Sequence, residues 1–421
     1  MTSASAMMSS NIEMESASER MDFDPYHIPT EIVIEIIKHV GKNRATLLNV
    51  IKVSSVWFDI GTSFLWREPP IHALIALPPA RRQYYADKIE LLCTSEEEGS
   101  QGHYETKNLT FPRLEWLSID HGVDVFPIGQ YLQSSLTFLS FAGGRPEEDV
   151  LALLAVRCKN MKQLSIDDVP SYWDTDGVIA MLDHFKDLEC FRMGQRLPQH
   201  IDGGRLILYL ANRPKIWSLK ASCDNIGYHA LSRVAALGER TRIYPNIRGL
   251  ELDIDWDAVT LIPAFSKNII ALKLGIFGRP QAANVFAVVG TMISVKILEL
   301  HIDNGQPLQR QDLRNLAKLK NLRRMIISIR NHPATYDALA DTDFTHLFLS
   351  LPNLEGIAWH AGENFPLKAF LALGLHCQRL HFCEMSARID LLSLQQSPRI
   401  CFPSLDTLKL SSGVSEENIN V

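Results

Sequence analysis

Twelve times between residues 111 and 410 this chain returns to one spacing of apolar residues, L-x-x-L-x-L, as in FPRLEWLSID at 111, CKNMKQLSID at 158, YPNIRGLELD at 244 and FPSLDTLKLS at 402. The first anchors of the units are Leu114, Leu136, Met161, Leu188, Ile216, Ile247, Ile269, Val295, Leu322, Leu354, Leu380 and Leu405. Their separations run from 22 to 32 residues and average about 26, inside the range of roughly 20–29 residues for leucine-rich repeats. The later anchors of each unit, such as Leu117 and Ile119 or Leu250 and Leu252, lie two apart and so share one face of a strand. Helical apolar spacing fills most intervals, as in EEDVLALLAVRC, DGVIAMLDHFKDL, RLILYLAN, DLRNLAKL and PLKAFLALGLHC, with Asp174, Thr175 and Asp312 as helix starts.

One strand and one helix cannot bury their own apolar faces, so the units must stack. The expected architecture is an α/β leucine-rich-repeat-like solenoid over 109–411, about twelve repeats, with parallel strands on its concave side. Residues flanking the inward anchors then form a column on that side: Ser118, Ser140, Ser165, Arg192, Lys220, Glu251, Lys273, Glu299, Ile326, Ala358, Glu384 and Lys409. The column mixes both signs of charge, which excludes a nucleic-acid stripe. Trp116, Phe138 and Phe382, with Arg192, Lys220, Glu251 and Lys273, are the candidates for contact with a protein substrate, because interface hot spots favour large aromatics.

The rest of the chain divides by composition. Residues 1–22 are Ser-, Met- and Glu-rich and read as a disordered leader without the basic start or apolar stretch of a secretory signal. Residues 23–70 are densely apolar and helical. Residues 71–108 read as a helical connector ending in the polar loop TSEEEGSQGHYETKN, and 412–421 as a tail. Net charge is −6, and no run of about eighteen apolar residues occurs, so neither nucleic acid nor a membrane is an expected partner. Seven cysteines without framework spacing imply reduced thiols and a cytoplasmic or nuclear location.

The segment FDPYHIPTEIVIEIIKHVGKNRATLLNVIKVSSVWFDIGTSFLWREP carries most of the functional signal. Pro29 suits a helix start and Gly41 its close. Pro29, Ile32, Val33, Ile36 and Val40 share one helical face, and Ile34 and Ile37 widen it to roughly 200°, whereas one core needs little more than about 100°. Such a helix touches two apolar surfaces, its own small domain and a partner. About 45 residues are also too few for a self-sufficient core.

These residues resemble the F-box family, in which an L-P-x-E-I-x-x-x-I start precedes a Leu-rich second helix, a V-C-K-x-W-like third segment and often a closing L-W. The matching positions are Ile28-Pro29-Thr30-Glu31-Ile32, Ile36, Leu47-Leu48, Val53, Trp57 and Leu65-Trp66-Arg67, with Ser54-Ser55 in place of the Cys-Lys/Arg pair. The resemblance implies that Ile28, Pro29, Ile32, Ile36, Leu48, Val53, Trp57, Leu65 and Trp66 dock on the adaptor subunit of an SCF-type cullin–RING ubiquitin ligase, and through it on cullin. The repeats would then hold a protein substrate. The alternatives are a helical cap for the solenoid and a scaffold unrelated to ubiquitination.

No catalytic group and no cofactor is expected. Asp253, Asp255 and Asp257 alternate with inward Leu252, Ile254 and Trp256, which places the carboxylates on a solvent face rather than around a metal. In HCQRLHFC, Cys383 is an inward anchor and Cys377 precedes Leu380 as Cys158 precedes Met161, so these thiols read as core residues rather than zinc ligands. Paired glycines in FAGGRP and IDGGR lack the continuation of a phosphate loop.

Overall fold

The computed structural model describes residues 28–41, 43–94, 101–146, 149–168, 172–196, 201–222, 226–238, 243–278, 284–303, 307–330, 339–361, 365–386 and 402–410. The leader and the tail lie outside them. The chain divides into two compact units, one ending at Trp66 and one beginning at Arg67.

The first unit holds three helices: α1 (Thr30–Val40), α2 (Arg44–Val50) and α3 (Ser55–Leu65). Pro29 precedes α1, and its carbonyl accepts the Ile32 and Val33 N–H groups. Gly41 closes the helix in a right-handed conformation rather than the left-handed one usual for a terminal glycine. Asn43 and Ser54 cap the other two helices through their side-chain oxygens. Ser54 thus has a local duty that a cysteine would perform less well.

Val33, Ile37 and Leu47 form the core of this unit, with Val50, Ile51, Trp57, Ile60, Phe64 and Leu65 packed against it. Gly61 is buried because α3 runs close to Ile51; a Cβ at Gly61 would lie 2.3 Å from Ile51 Cγ2.

The second unit opens with two short helices, α4 (Ile71–Ile75) and α5 (Pro79–Ala86), and is organised around a parallel sheet. Its strands are β1 (Leu91–Thr94), β2 (Trp116–Phe126), β3 (Phe138–Pro146), β4 (Gln163–Asp168), β5 (Cys190–Arg196), β6 (Ser218–Ala221) and β7 (Gly249–Asp255). They continue with β8 (Ala271–Phe277), β9 (Ile297–Ile302), β10 (Arg324–Ile329), β11 (Gly356–His360), β12 (Phe382–Met385) and β13 (Thr407–Leu410). Spatial order equals chain order, so each strand pairs only with its sequence neighbours. Connections carry α6 (Gln101–Glu105), α7 (Val150–Arg157), α8 (Thr175–Leu182), α9 (Gly203–Leu210), α10 (Tyr228–Gly238), α11 (Val285–Val289), α12 (Arg310–Leu316), α13 (Asp341–Leu349) and α14 (Leu367–His376).

This is an α/β leucine-rich-repeat-like solenoid of thirteen parallel strands, with helices N-terminal to it. The extra strand, β1, lies within the stretch expected to be connector and polar loop, and the same stretch contains α6. Between β7 and β8 a 3-10 segment, Trp256–Ala264, replaces the α-helix; Pro263 inside it cannot donate an α-helical hydrogen bond.

Every first anchor from Leu114 to Leu380 is buried, as are the second and third anchors of the units on strands β2 to β12, from Leu117 and Ile119 to Cys383 and Met385. The turns are tied by side chains. Asparagines one residue before an anchor donate to a carbonyl of the preceding repeat: Asn160 to Ser134, Asn246 to Pro214, Asn321 to Ile293 and Asn353 to Lys320, at 2.7–3.3 Å. Asp174 caps α8 by accepting from Gly177 N–H. Thr175 is the first residue of that helix, and its hydroxyl also accepts from Asp202 N–H of the next repeat. Asp312 sits in the first turn of α12 and accepts from Gln309 N–H.

Candidate functional site

Two apolar stripes run along α1. Val33 and Ile37, one helical turn apart, are fully buried in the core of the three-helix unit. Ile32 and Ile36 lie along a second stripe and are 51% and 37% exposed, and Ile28, just before the helix, is 43% exposed. The single broad face expected from the sequence is therefore split, with Ile32 and Ile36 outward. Leu48, Val53, Val56 and Phe58 are also exposed apolar residues of this unit, and Pro29 is exposed.

Trp57 and Leu65, assigned to adaptor contact by the resemblance, turn toward the unit's own core. The reason is spacing: Trp57, Ile60, Phe64 and Leu65 follow i, i+3, i+7 and i+8 and make the inward stripe of α3. Trp66, at the end of α3, is half-buried.

On the sheet, the strand register places Ser118, Ser140, Ser165, Arg192, Lys220, Glu251, Lys273, Glu299, Ile326, Ala358, Glu384 and Lys409 in one row of neighbours. Cys93 of β1 extends it by one. The middle of this row is internally neutralised. Lys220 lies 3.0 Å from Glu251, Lys273 bridges Glu251 and Glu299 at 4.0 and 3.0 Å, and His301 reaches Glu299 at 2.9 Å. The hydrogen bond from His301, followed by the Lys273 ammonium, holds the Glu299 carboxyl down to about 2 against the opposing effect of partial burial.

Charges satisfied by each other offer little to a charged ligand, so Lys220, Glu251 and Lys273 act first on the sheet itself. Arg192, exposed beside them, has no ion pair among the described residues. At the two ends the face is aromatic. Trp116 and Phe138 stack with their planes 8° apart, and Lys409 lies over the Phe382 ring at 5.6 Å.

A groove of about 700 Å³ lies where the strands β6 to β8 begin, lined by Trp217, Arg248, Gly249, Ile270 and Ala271 with Glu189, Lys215 and Asn246 around them. Nothing in the L-x-x-L-x-L pattern marks it, because it arises from what is missing. Ser218, Gly249 and Ala271 are three small residues side by side in a row that carries Trp116 and Phe138 on earlier strands and Ile297 and Phe382 on later ones.

His360 Nδ1 lies 2.5 Å from Ser386 Oγ, but Glu384 is 3.8 Å from the other ring nitrogen, too far for the hydrogen bond of a hydroxyl–imidazole–carboxylate relay. Leu252, Ile254 and Trp256 are buried, as the alternation beside the three aspartates requires. Cys158, Cys377 and Cys383 are buried, and burial pushes each thiol up to about 12. Among the described residues no group of three or more His, Cys, Asp or Glu is placed to hold a metal ion. No described helix is long and apolar enough to cross a membrane.

No protein-family model matches this chain, and no curated protein matches it. Among solved structures, an internalin (inlF) of Listeria monocytogenes is similar at 11% identity over 79% of this chain and 89% of that one, with a TM-score of 0.40. The Toll–Spatzle complex of Drosophila matches at 14% identity over 71% of this chain and 40% of that one, with a TM-score of 0.38. The strand register and the buried rows of anchors define the solenoid without help from either likeness.

Proposed function

We propose that this chain is a non-catalytic protein-binding receptor, whose three-helix unit docks on the adaptor of an SCF-type ubiquitin ligase while the solenoid holds a protein substrate. The observation that carries this reading is the second apolar stripe of α1. Ile28, Ile32 and Ile36 are exposed although Val33, Ile37 and Leu47 already supply the unit's core. Two exposed isoleucines one helical turn apart on α1, with Ile28 ahead of the helix and Leu48 and Val53 beside it in the same unit, suit burial by a second protein. The residue pattern Ile28-Pro29-Thr30-Glu31-Ile32 with Trp57 and Leu65-Trp66 points to the F-box adaptor as that protein, and the ligase would act by proximity rather than through groups on this chain.

Trp57→Ala would disturb the unit's own packing, whereas Ile32 and Ile36 are outside it. The Ile32→Asp/Ile36→Asp protein is expected to keep the wild-type melting temperature and to lose at least tenfold in affinity for purified adaptor, measured by isothermal titration. Unchanged affinity, or no binding by the wild type, would favour a scaffold that does not serve ubiquitination.

A further inference from the structure

The geometry points to the Trp217 groove as the substrate-reading subsite of the solenoid, taking a large apolar side chain of a peptide segment that also carries an acidic residue. This deepens the receptor reading and rests on it. The groove's neighbours are fixed by backbone hydrogen bonds at the strand starts: Arg248 N–H donates to the Trp217 carbonyl, Ile270 N–H to Arg248, and Lys296 N–H to Ile270. Trp217, Arg248, Ile270 and Lys296 therefore follow one another immediately before successive strands, and the backbones at Arg248 and Lys296 stand about 10 Å apart.

Three features choose the occupant. Gly249 and Ala271 leave an apolar floor, and Trp217, 40% exposed, forms its wall, so a bulky side chain fits where two are absent. Arg248, which lines the groove, and Lys296, which lies beyond it at the start of β9, are exposed and have no ion-pair partner among the described residues, in contrast to the Lys220–Glu251–Lys273–Glu299 series nearby. Lys215, also on the groove, is already paired with Asp187. An acidic group is thus drawn to the β7–β9 end, and Glu189 at the opposite end repels it, which orients the bound segment.

The test is to pan a phage-displayed library of random peptides on the full chain, then measure a synthetic consensus peptide by fluorescence anisotropy. The expected consensus pairs a large apolar residue with Asp or Glu. Gly249→Val fills the floor with a residue suited to a strand and should weaken binding at least tenfold, as should Ala271→Leu as an independent filling. Gly356→Val is the control: Gly356 occupies the same repeat position on β11, and a Cβ there meets nothing closer than 3.8 Å. It should bind like the wild type, while Arg248→Glu should remove the preference for acidic peptides. No consensus, a basic consensus, or equal binding by the two filled variants and the wild type overturns the assignment. The Ile32→Asp/Ile36→Asp protein should keep peptide binding, so loss of the adaptor reading and loss of this one are told apart.

Discussion

Changing Glu299 to Gln removes one charge from the middle of the sheet and leaves the side chain's shape. Its carboxyl is held at about 2 rather than its ordinary 4.5 by His301 and Lys273. A displacement of that size corresponds to at most roughly 3 kcal/mol of folding free energy. Lys273 and His301 are each more than a third exposed, so screening by solvent brings the expected value to about 1–2 kcal/mol. Because the folded value is depressed, this stabilisation is fully present above about pH 4.5 and disappears as pH falls through about 2. Urea denaturation followed by far-ultraviolet circular dichroism should show Glu299→Gln less stable than wild type at pH 7. The gap should narrow between pH 4.5 and 2.5. A gap that is absent at pH 7, or constant across that range, would refute the claim that the charged row serves the sheet.

Two further outcomes follow from packing. Gly61→Ala places a methyl group against Ile51 and should destabilise the three-helix unit by about 1–3 kcal/mol, seen as faster amide hydrogen exchange in α1–α3 than in the wild type. Peptide mapping after brief treatment of the native protein with iodoacetamide at pH 8 should find Cys93 modified and Cys158, Cys377 and Cys383 untouched, since the last three are buried and resist ionisation. Reaction of Cys377 before unfolding would contradict its placement in the core.

The solenoid was legible because its core is periodic: each apolar anchor must return to the same inward position, and twelve of the thirteen strands carry the full spacing. The thirteenth escaped because its third anchor is Thr94 rather than an aliphatic residue. Thr94 is buried all the same, its hydroxyl reaching the Ser118 carbonyl at 3.5 Å. In α1, periodicity gave the width of the apolar arc but could not apportion it, because Ile32 and Val33 are equally apolar and only the approach of α2 and α3 decides which is covered. Trp57 shows a related limit, since a motif position does not say that its side chain also packs against the unit's own core. The groove at Trp217 was invisible because glycine and alanine carry no pattern of their own; it needs the register to show that Gly249 and Ala271 are side by side.

Pairing of every strand with only its chain neighbours makes the sheet an addressable array. A residue's position within its repeat fixes its row, and the repeat number fixes its place along the row, whatever the length of the intervening loop. Selection can therefore rewrite one outward row, letter by letter, to suit a new target without disturbing the anchors behind it.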